Sequence, residues 1–366
     1  MEIAARVWEF VARPVDRFLF GITIAIVAVG MVTLLSAADQ NFDRVRAQLA
    51  SIGVALVAMW LVANIPPQTL ARTAVPLYVL AVVLLVLVAM FGVVVNGSRR
   101  WLNLGITRIQ PSELAKIAVP LMLAWYFQKF EGRIGWKDFV FASVLIAVPA
   151  ILIKRQPDLG TALMIISCGF FVLYLAGLSW KIIVGLAVAA AAAAPLAWNL
   201  LHDYQRRRIL TFIDPTTDPL GAGYHSAQAS IAIGSGGVVG KGWLNGTQTH
   251  LDFLPERHTD FIFAVYGEEF GLIGNVFLLI LYLMLFARGM VIAANASSMF
   301  GRLMAGAVTL MFFTYAFVNM GMVSGVLPVV GVPLPFVSYG GTAMLSLFIG
   351  IGILMSVHAH RRLVGS

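Results

Sequence analysis

The segment from Leu251 to Gly271 reads LDFLPERHTDFIFAVYGEEFG, and it indicates the fold class. Its first half is rich in ionisable groups, whereas the residues after Asp260 are apolar enough to enter a lipid bilayer. Asp260 therefore stands where a polar loop becomes a helix, close to a predicted membrane surface. The partial positive charge and unpaired N–H groups of a helix N-terminus favour the ionised form of such a carboxylate. A plain N-cap formed by Thr259 or Asp260 explains the position equally well.

The composition extends this prediction to the whole chain. Of its 366 residues, 60% are apolar and 11% are charged, against about 25% charged in ordinary globular proteins. The sequence therefore predicts an all-α integral membrane protein, a single polytopic domain over residues 1–366, with about ten transmembrane helices of ~20 residues. The apolar runs lie near residues 18–37, 47–64, 74–95, 113–128, 139–153, 161–178, 182–200, 261–287, 303–326 and 342–358.

The distribution of Lys and Arg predicts the orientation of these helices. With both termini in the cytoplasm, the short inner segments hold more basic residues than the short outer loops, as the positive-inside rule expects. One long extracytoplasmic loop, residues 202–259, then lies outside. Loops of this length are usually functional or disordered. Apolar side chains such as Tyr204, Phe212 and Trp243 recur through it and favour an ordered structure.

Ionisable side chains inside or beside apolar runs are costly in a membrane, so each is a functional candidate. Glu113 and Lys116 stand three residues apart near a helix start marked by Pro111, which places them on one helix face. A structural ion pair between helices is as good an explanation as a substrate-facing pair. Asp158 lies in the turn QPDLGT at an outer break between two runs, where a charged interfacial turn is the alternative.

The helix after Asp260 carries small residues at a spacing that predicts a single stripe, Ala264, Gly267, Gly271 and Gly274. Close helix packing explains such a stripe. The alternative hypothesis is a groove that leads a polyprenyl tail up to Asp260. Glu268 and Glu269, farther along, are either paired structural acids or part of a proton-coupled path.

A divalent cation is a further hypothesis. Residues 250–260 include several candidate ligands, namely His250, Asp252, Glu256, His258 and Asp260. Oxygen-rich ligands suit magnesium or manganese better than zinc.

Longer sequence blocks carry a family resemblance. The run from Asp218 to Gly271, DPLGAGYHSAQASIAIGSGGVVGKGWLNGTQTHLDFLPERHTDFIFAVYGEEFG, strongly resembles the SEDS family of bacterial peptidoglycan polymerases. The run from Asn319 to Ala343, NMGMVSGVLPVVGVPLPFVSYGGTA, is similar to the C-terminal signature of that family. QPSELAKI (110–117) and QPDLGT (156–161) match further family blocks in the same order. Short terminal tails make the chain look more like the elongation member than the division member.

The resemblance implies a ten-helix fold in the bacterial inner membrane. It implies a glycosyltransferase that polymerises lipid II, an undecaprenyl-pyrophosphate disaccharide-pentapeptide, during cell-wall elongation and cell-shape maintenance. It implies an essential role for Asp260 and further roles for Glu113, Lys116 and Asp158. It also implies a class B penicillin-binding protein, a transpeptidase, as the partner. No nucleic-acid partner is expected.

The chemistry of glycan extension suits these residues. Asp260 can take the proton of an attacking sugar hydroxyl, or hold a metal ion that meets the pyrophosphate. Glu256 and His258 flank it as supporting candidates. The arginines expected on the outer side are candidates for binding the pyrophosphate oxyanions or, alternatively, are interfacial anchors: Arg99, Arg100, Arg108 and Arg257.

A lipid II flippase is the rival function from another class. Flipping requires a polar path through the membrane, which Glu268 or Glu269 would line. Most ionisable clusters instead gather at the predicted outer edge, which favours the polymerase.

Overall fold

The computed structural model describes residues 14–95, 98–103, 108–200, 206, 210–212, 222–250, 254 and 256–361. Within these residues each of the ten apolar runs forms a helix: α1 Arg17–Ala37, α2 Phe42–Ala63, α3 Pro67–Phe91, α4 Pro111–Lys129, α5 Trp136–Lys154, α6 Leu159–Leu175, α7 Trp180–Leu200, α10 Ile262–Ala294, α11 Met299–Val323 and α12 Gly341–Ala359. Two shorter helices, α8 Ala222–Ser235 and α9 Thr247–His250, belong to the long predicted loop. Parts of that loop, including Tyr204 and Asp252, lie outside the described residues.

Seven of the helices in the described part of the chain are long and apolar enough to cross a membrane: α1, α2, α3, α5, α10, α11 and α12. Helix α6 and the apolar part of α7, Trp180–Pro195, are shorter. Helix α4 carries Glu113, Lys116 and Lys129, yet most of its residues are buried. Its neighbours are therefore other helices rather than lipid. The prediction of a multi-pass helical membrane protein is confirmed.

A small sheet is the main departure from the all-α prediction. Strands β1 Val93–Val95, β2 Ser98–Asn103 and β3 Arg108–Ile109 pair antiparallel in sequence order. The valines of β1 extend the third apolar run, and hydropathy alone does not separate a short apolar strand from a helix end. The sheet places Arg100 and Trp101 of β2 near the starts of α4 and α6.

Helices α11 and α12 form the centre of the bundle. In the most apolar 18-residue stretch of α11, 72% of the residues are buried. The corresponding share is 22% in α2 and 28% in α3 and α5. Helix α11 packs against α10, α6 and α4, while α2 lies along α12. The outer helices expose large apolar side chains such as Val57 and Val79, as expected for surfaces that face lipid.

Helix α10 is broken at Gly271, where φ is 63° and ψ is −159°. The glycine-rich segment 236–242 packs into this break. The main-chain N–H groups of Leu272 and Ile273 donate to the carbonyls of Gly237 and Val238, at 3.0 and 3.1 Å. The predicted continuous stripe from Ala264 to Gly274 is therefore wrong, because the helix is interrupted and Gly271 contacts a loop.

The two ends of the described chain meet on one side of the bundle. The carboxylate of Asp16, which caps α1, pairs with the Arg288 guanidinium near the end of α10. The same carboxylate lies 3.2 Å from Nε2 of His358 at the end of α12. Asp16 and His358 therefore lie on the same side of the bundle. The other side, where α4, α6, α10 and α12 begin, is called the loop side below.

Candidate active site

A cavity of about 550 Å³ opens among the helix starts on the loop side. Four of the described helices, α4, α6, α10 and α12, begin at its wall. Because each N-terminus presents unpaired N–H groups and a partial positive charge, their convergence favours an anionic ligand. The residues that line the cavity are Arg100, Trp101, Gln110, Glu113, Lys116, Asp158, Thr161, Met164, Thr259, Asp260, Tyr315, Gly331, Val332, Pro333, Tyr339, Gly340, Gly341, Thr342 and Ala343.

The structure brings five of the sequence-predicted site residues together in this cavity: Asp260, Glu113, Lys116, Asp158 and Arg100. They come from four different segments of the chain, which span residues 100 to 260. Their roles in catalysis stay predictions, whereas their proximity is a property of the fold.

Glu113 and Lys116 form a buried pair in the first turns of α4. Lys116 Nζ donates to Glu113 Oε1 at 2.6 Å, and their side chains are 6% and 12% exposed, respectively. The other carboxylate oxygen of Glu113 accepts from Ser346 Oγ of α12, also at 2.6 Å. The ammonium group of Lys116 lies 5.0 Å from the ring centroid of Tyr315 on α11. The pair therefore joins three helices while lining the cavity.

Asp158 caps helix α6. Its Oδ1 accepts from the main-chain N–H of Thr161 at 3.1 Å. Its Oδ2 lies 3.6 Å from Nε of Arg100, which reaches over from β2. The same guanidinium donates to the carbonyl of Pro157 at 2.8 Å. Arg100 therefore fixes the small sheet to the start of α6 and keeps a positive charge at the cavity wall.

The backbone before α10 is held at three successive carbonyl oxygens. The carbonyl of His258 accepts from the main-chain N–H of Tyr339 at 2.9 Å. The carbonyl of Thr259 accepts from Ser338 Oγ at 2.7 Å. The carbonyl of Asp260 accepts from Asn319 Nδ2 at 2.8 Å. This segment is thus fixed to α11 and to the loop before α12.

The carboxylate of Asp260 approaches the backbone of Gly331. A Cβ atom at position 331 would lie 3.3 Å from Asp260 Oδ2, and Gly331 has a φ of 72°. Glycine is the residue that adopts this conformation without strain and leaves room for the carboxylate. Asp260 is half-buried and lines the cavity.

The other predicted residues lie around this site, outside the described cavity lining. Arg257 donates to the carbonyl of Thr249 and pairs with Asp39 at the end of α1. Glu256 accepts from Thr259 Oγ1 at 2.9 Å. Arg99 is exposed on β2, and the side chain of Arg108 lies outside the described residues.

His258 stands beside Tyr339, with ring centroids 6.0 Å apart. Burial lowers the pKa of His258 below its ordinary value of 6.5, and the nearby positive charges of Arg44 and Arg257 act in the same direction. The neighbouring carboxylate of Glu256 opposes them without reversing the shift. His258 is therefore a neutral packing side chain near pH 7.

The described side chains offer few ligands for a metal ion. Among the described residues, no group of three or more His, Cys, Asp or Glu side chains could surround an ion. In the cavity, Glu113 and Asp158 already face Lys116 and Arg100. Asp260 lines the same cavity and would hold a divalent cation there.

Three residues of the site are not predicted from the sequence: Asn319, Tyr315 and Tyr339. Asn319 is fully buried. Its side-chain amide donates to the main-chain carbonyls of Asp260 and Val332, the latter at 2.7 Å. An asparagine inside an apolar helix was a usable signal, because buried polar groups in membrane helices need a reason. Tyr315 gave no such signal, since aromatic residues are common in transmembrane helices.

Comparison with known proteins identifies the family. A family model described as "Cell cycle protein" and named for FtsW, RodA and SpoVE matches residues 15–363. The chain belongs to the FtsW/RodA/SpoVE family. The predicted SEDS resemblance is therefore confirmed, because this is the same family.

The chain is similar to "Peptidoglycan glycosyltransferase MrdB" of Escherichia coli (strain K12), 50% identical over 350 residues, with 95% of each chain covered. The protein of the same name from Helicobacter pylori (strain J99 / ATCC 700824) is 38% identical over 86% of this chain and 82% of its own length.

Solved family structures agree with the fold. The Thermus thermophilus rod shape determining protein RodA matches with a TM-score of 0.73 and 31% identity, covering 95% of this chain and 97% of that one. A chain described under "Structural coordination of polymerization and crosslinking by a peptidoglycan synthase complex" matches with a TM-score of 0.83 and 34% identity, covering 95% of this chain and 98% of that one.

Proposed function

We propose that the protein is a peptidoglycan glycosyltransferase that polymerises lipid II into glycan strands during cell-wall elongation and cell-shape maintenance. One observation carries the proposal: Asp260 lines a cavity made by four helix N-termini, next to Arg100 and the Glu113–Lys116 pair. The activity named for the E. coli and H. pylori relatives supports it.

In the proposed reaction, a sugar hydroxyl of the acceptor attacks the anomeric carbon of the donor lipid II. The new glycosidic bond forms as the bond between that carbon and the pyrophosphate oxygen breaks. Asp260 takes the proton of the attacking hydroxyl, as a general base. The undecaprenyl pyrophosphate leaves with the bonding electron pair.

The leaving group requires stabilisation of negative charge. Arg100, Lys116 and the N-termini at the cavity wall supply positive charge and N–H donors without a conformational change in the protein, because all are already fixed. Glu113 and Asp158 hold Lys116 and Arg100 in position. Glu256, Arg257, His258 and Arg99 support the rim of the site.

A magnesium or manganese ion is part of the proposal. Asp260 would hold such an ion, which would supply Lewis-acid stabilisation of the leaving group. Chelation by EDTA should then lower the rate, and added magnesium or manganese should restore it. Unchanged activity in EDTA would remove the ion from the proposal.

The cellular setting is proposed as the bacterial inner membrane, with both termini cytoplasmic and the cavity facing outward. A class B penicillin-binding protein is the proposed partner, and it would crosslink the strands that this protein makes. The similarity to a chain in a peptidoglycan synthase complex supports such a partnership.

The flippase alternative is weakened by the surroundings of Glu268 and Glu269. Both side chains are buried. Glu268 accepts hydrogen bonds from the loop that precedes Asp260, and Glu269 accepts from Ser36 and from the main-chain N–H of Leu244. These acids hold a loop on a helix, which is a structural role.

A polymerisation assay with purified protein and fluorescent lipid II tests the proposal. Wild type should produce glycan strands on a gel, Asp260→Asn should produce none, and the exposed-residue control Glu131→Gln should match wild type. Normal polymerisation by Asp260→Asn would refute the catalytic assignment. Transbilayer movement of lipid II in vesicles without polymerisation would favour the flippase.

A further inference from the structure

Glu268 is a fully buried carboxylate on α10 that binds the extracytoplasmic loop. Its Oε1 accepts from Lys241 Nζ at 2.7 Å, from the main-chain N–H of Gln248 at 3.0 Å and from Thr247 Oγ1 at 3.2 Å. Its Oε2 accepts from the N–H and the hydroxyl of Thr249, at 3.3 and 3.2 Å. One carboxylate thus caps the short helix α9 and neutralises a lysine.

The same loop is bound to α10 through its backbone. The main-chain N–H groups of Lys241 and Gly242 donate to the carbonyls of Glu268 and Glu269, at 3.1 and 3.0 Å. Those carbonyls lack their usual helical partners because α10 is broken at Gly271. The loop is therefore docked on α10 by the Glu268 side chain and by the main chain beside it.

A short chain of contacts leads from this docked loop to the catalytic segment. The carbonyl of Thr249, whose N–H and hydroxyl bind Glu268, accepts from the guanidinium of Arg257. Arg257 stands three residues before Asp260 and also pairs with Asp39 at the end of α1. Glu268, Thr249 and Arg257 form what is called the loop clamp below.

We propose that Glu268 is a positioning residue for Asp260, acting through the loop clamp. This inference rests on the proposed function, because Asp260 is taken as the catalytic group. The main-chain carbonyls of residues 258–260 are held by Tyr339, Ser338 and Asn319 on one side. The loop clamp holds Arg257, the residue immediately before these three, so the chain that leads to Asp260 is fixed as well.

Glutamine cannot replace Glu268 in this arrangement. Six donor groups, including Ser235 Oγ, point at the two carboxylate oxygens, whereas an amide has only one acceptor oxygen and directs its own N–H donors at the others. Glu268→Gln should therefore release α9 and loosen residues 256–261. Displacement of a catalytic group by about 1 Å costs on the order of 100-fold in rate.

Two measurements test the inference in full-length protein in detergent or nanodiscs. Hydrogen–deuterium exchange of Glu268→Gln should be faster at residues 247–250 and 256–261 and unchanged in the α10 segment after Gly271. Polymerisation kinetics should show kcat lower by at least about tenfold with little change in KM for lipid II. Glu131→Gln, an exposed charge removal far from the loop, is the matched control.

A second variant distinguishes the Arg257 contact of the loop clamp from the Glu268 contacts. Arg257→Met leaves Glu268 and its donors intact, so exchange should rise at residues 256–261 and stay unchanged at 247–250, again with a lower kcat. This variant keeps the inference testable where Glu268→Gln does not fold.

Several outcomes would overturn the inference. One is faster exchange at residues 247–250 without any change at 256–261. Another is faster exchange at both segments with wild-type kcat, and a third is a rise in KM alone. An inactive wild type would refute the proposed function instead, and the exchange data would still show whether the clamp holds the segment before α10.

Discussion

Asn319 Nδ2 donates to the carbonyl oxygen of Asp260 at 2.8 Å and to that of Val332 at 2.7 Å. A single amide group on α11 therefore joins the start of α10 to the loop that leads into α12. Both acceptor residues line the cavity. The position of Asp260 therefore depends on a side chain that has no role in the proposed reaction.

Replacing Asn319 should therefore impair both stability and activity. Asn319→Leu leaves two buried carbonyls without their donor, which costs about 1–3 kcal/mol for each unsatisfied group. Thermal unfolding in detergent and the polymerisation assay measure the two effects. Asn64→Leu is the control, because Asn64 is exposed and donates only within the last turn of α2. An Asn319→Leu protein with wild-type stability and rate would contradict the prediction.

The Glu113–Lys116 pair should show strong coupling in a double-mutant cycle. Each single variant, Glu113→Gln or Lys116→Met, leaves a buried charge without its partner, a loss of about 3–5 kcal/mol. The double variant should lose much less than the sum of the two. Chemical unfolding in detergent gives the three free energies. Additive losses would show that the pair is not coupled.

A surface pair provides the comparison for that cycle. Asp43 and Arg46 lie 3.8 Å apart and are almost fully exposed. Their cycle should show coupling near zero because water screens the interaction.

Gly271 should not tolerate alanine. At its φ of 63° an L-residue is strained, and a Cβ atom would lie 2.3 Å from the main-chain nitrogen of Gly240. Gly271→Ala should therefore lower the unfolding temperature. Gly53→Ala, on the lipid-facing helix α2 with open space around its Cβ position, should keep or raise it, because alanine is the better helix former. Equal unfolding temperatures for the two variants would contradict the observed helix break.

His258 should make stability depend on pH. Its folded-state pKa is below 6.5, mainly because of burial, so below pH 6.5 the unfolded chain binds a proton that the folded protein does not. The contribution of neutral His258 is complete above pH 6.5 and is lost as the pH falls through the lowered pKa. Unfolding temperatures at pH 7.5 and pH 5.0 test this. The drop should be smaller in His258→Gln, and an equal drop would exclude His258 as the cause.

The sequence determined the class of the protein and the positions of its long helices. Hydropathy is a local property, so a run such as 342–358 predicts a helix that the structure places at Gly341–Ala359. The sequence also located Asp260 at a boundary between loop and helix, because the change in composition there is abrupt. Family blocks then linked that boundary to polymerase chemistry.

Local patterns gave less information where backbone geometry changes. The valines of β1 looked like the end of a helix, and the small residues around Gly271 looked like one continuous stripe. Both patterns fit a regular helix, and neither shows a strand pairing or a positive φ. Those features depend on contacts with residues distant in the chain. Val93 pairs with Trp101 on the neighbouring strand, and the segment 236–242 packs against Gly271.

Only the tertiary structure decided how the site is assembled. Helix periodicity placed Glu113 beside Lys116, but it did not place Asp158, Arg100 and Asp260 in the same cavity, since they come from different segments. Nor did it show that Asn319 holds Asp260 or that Glu268 holds the loop. Contacts between residues distant in the chain follow from how helices pack, and a sequence specifies that packing through the whole set of side-chain contacts rather than through any one segment.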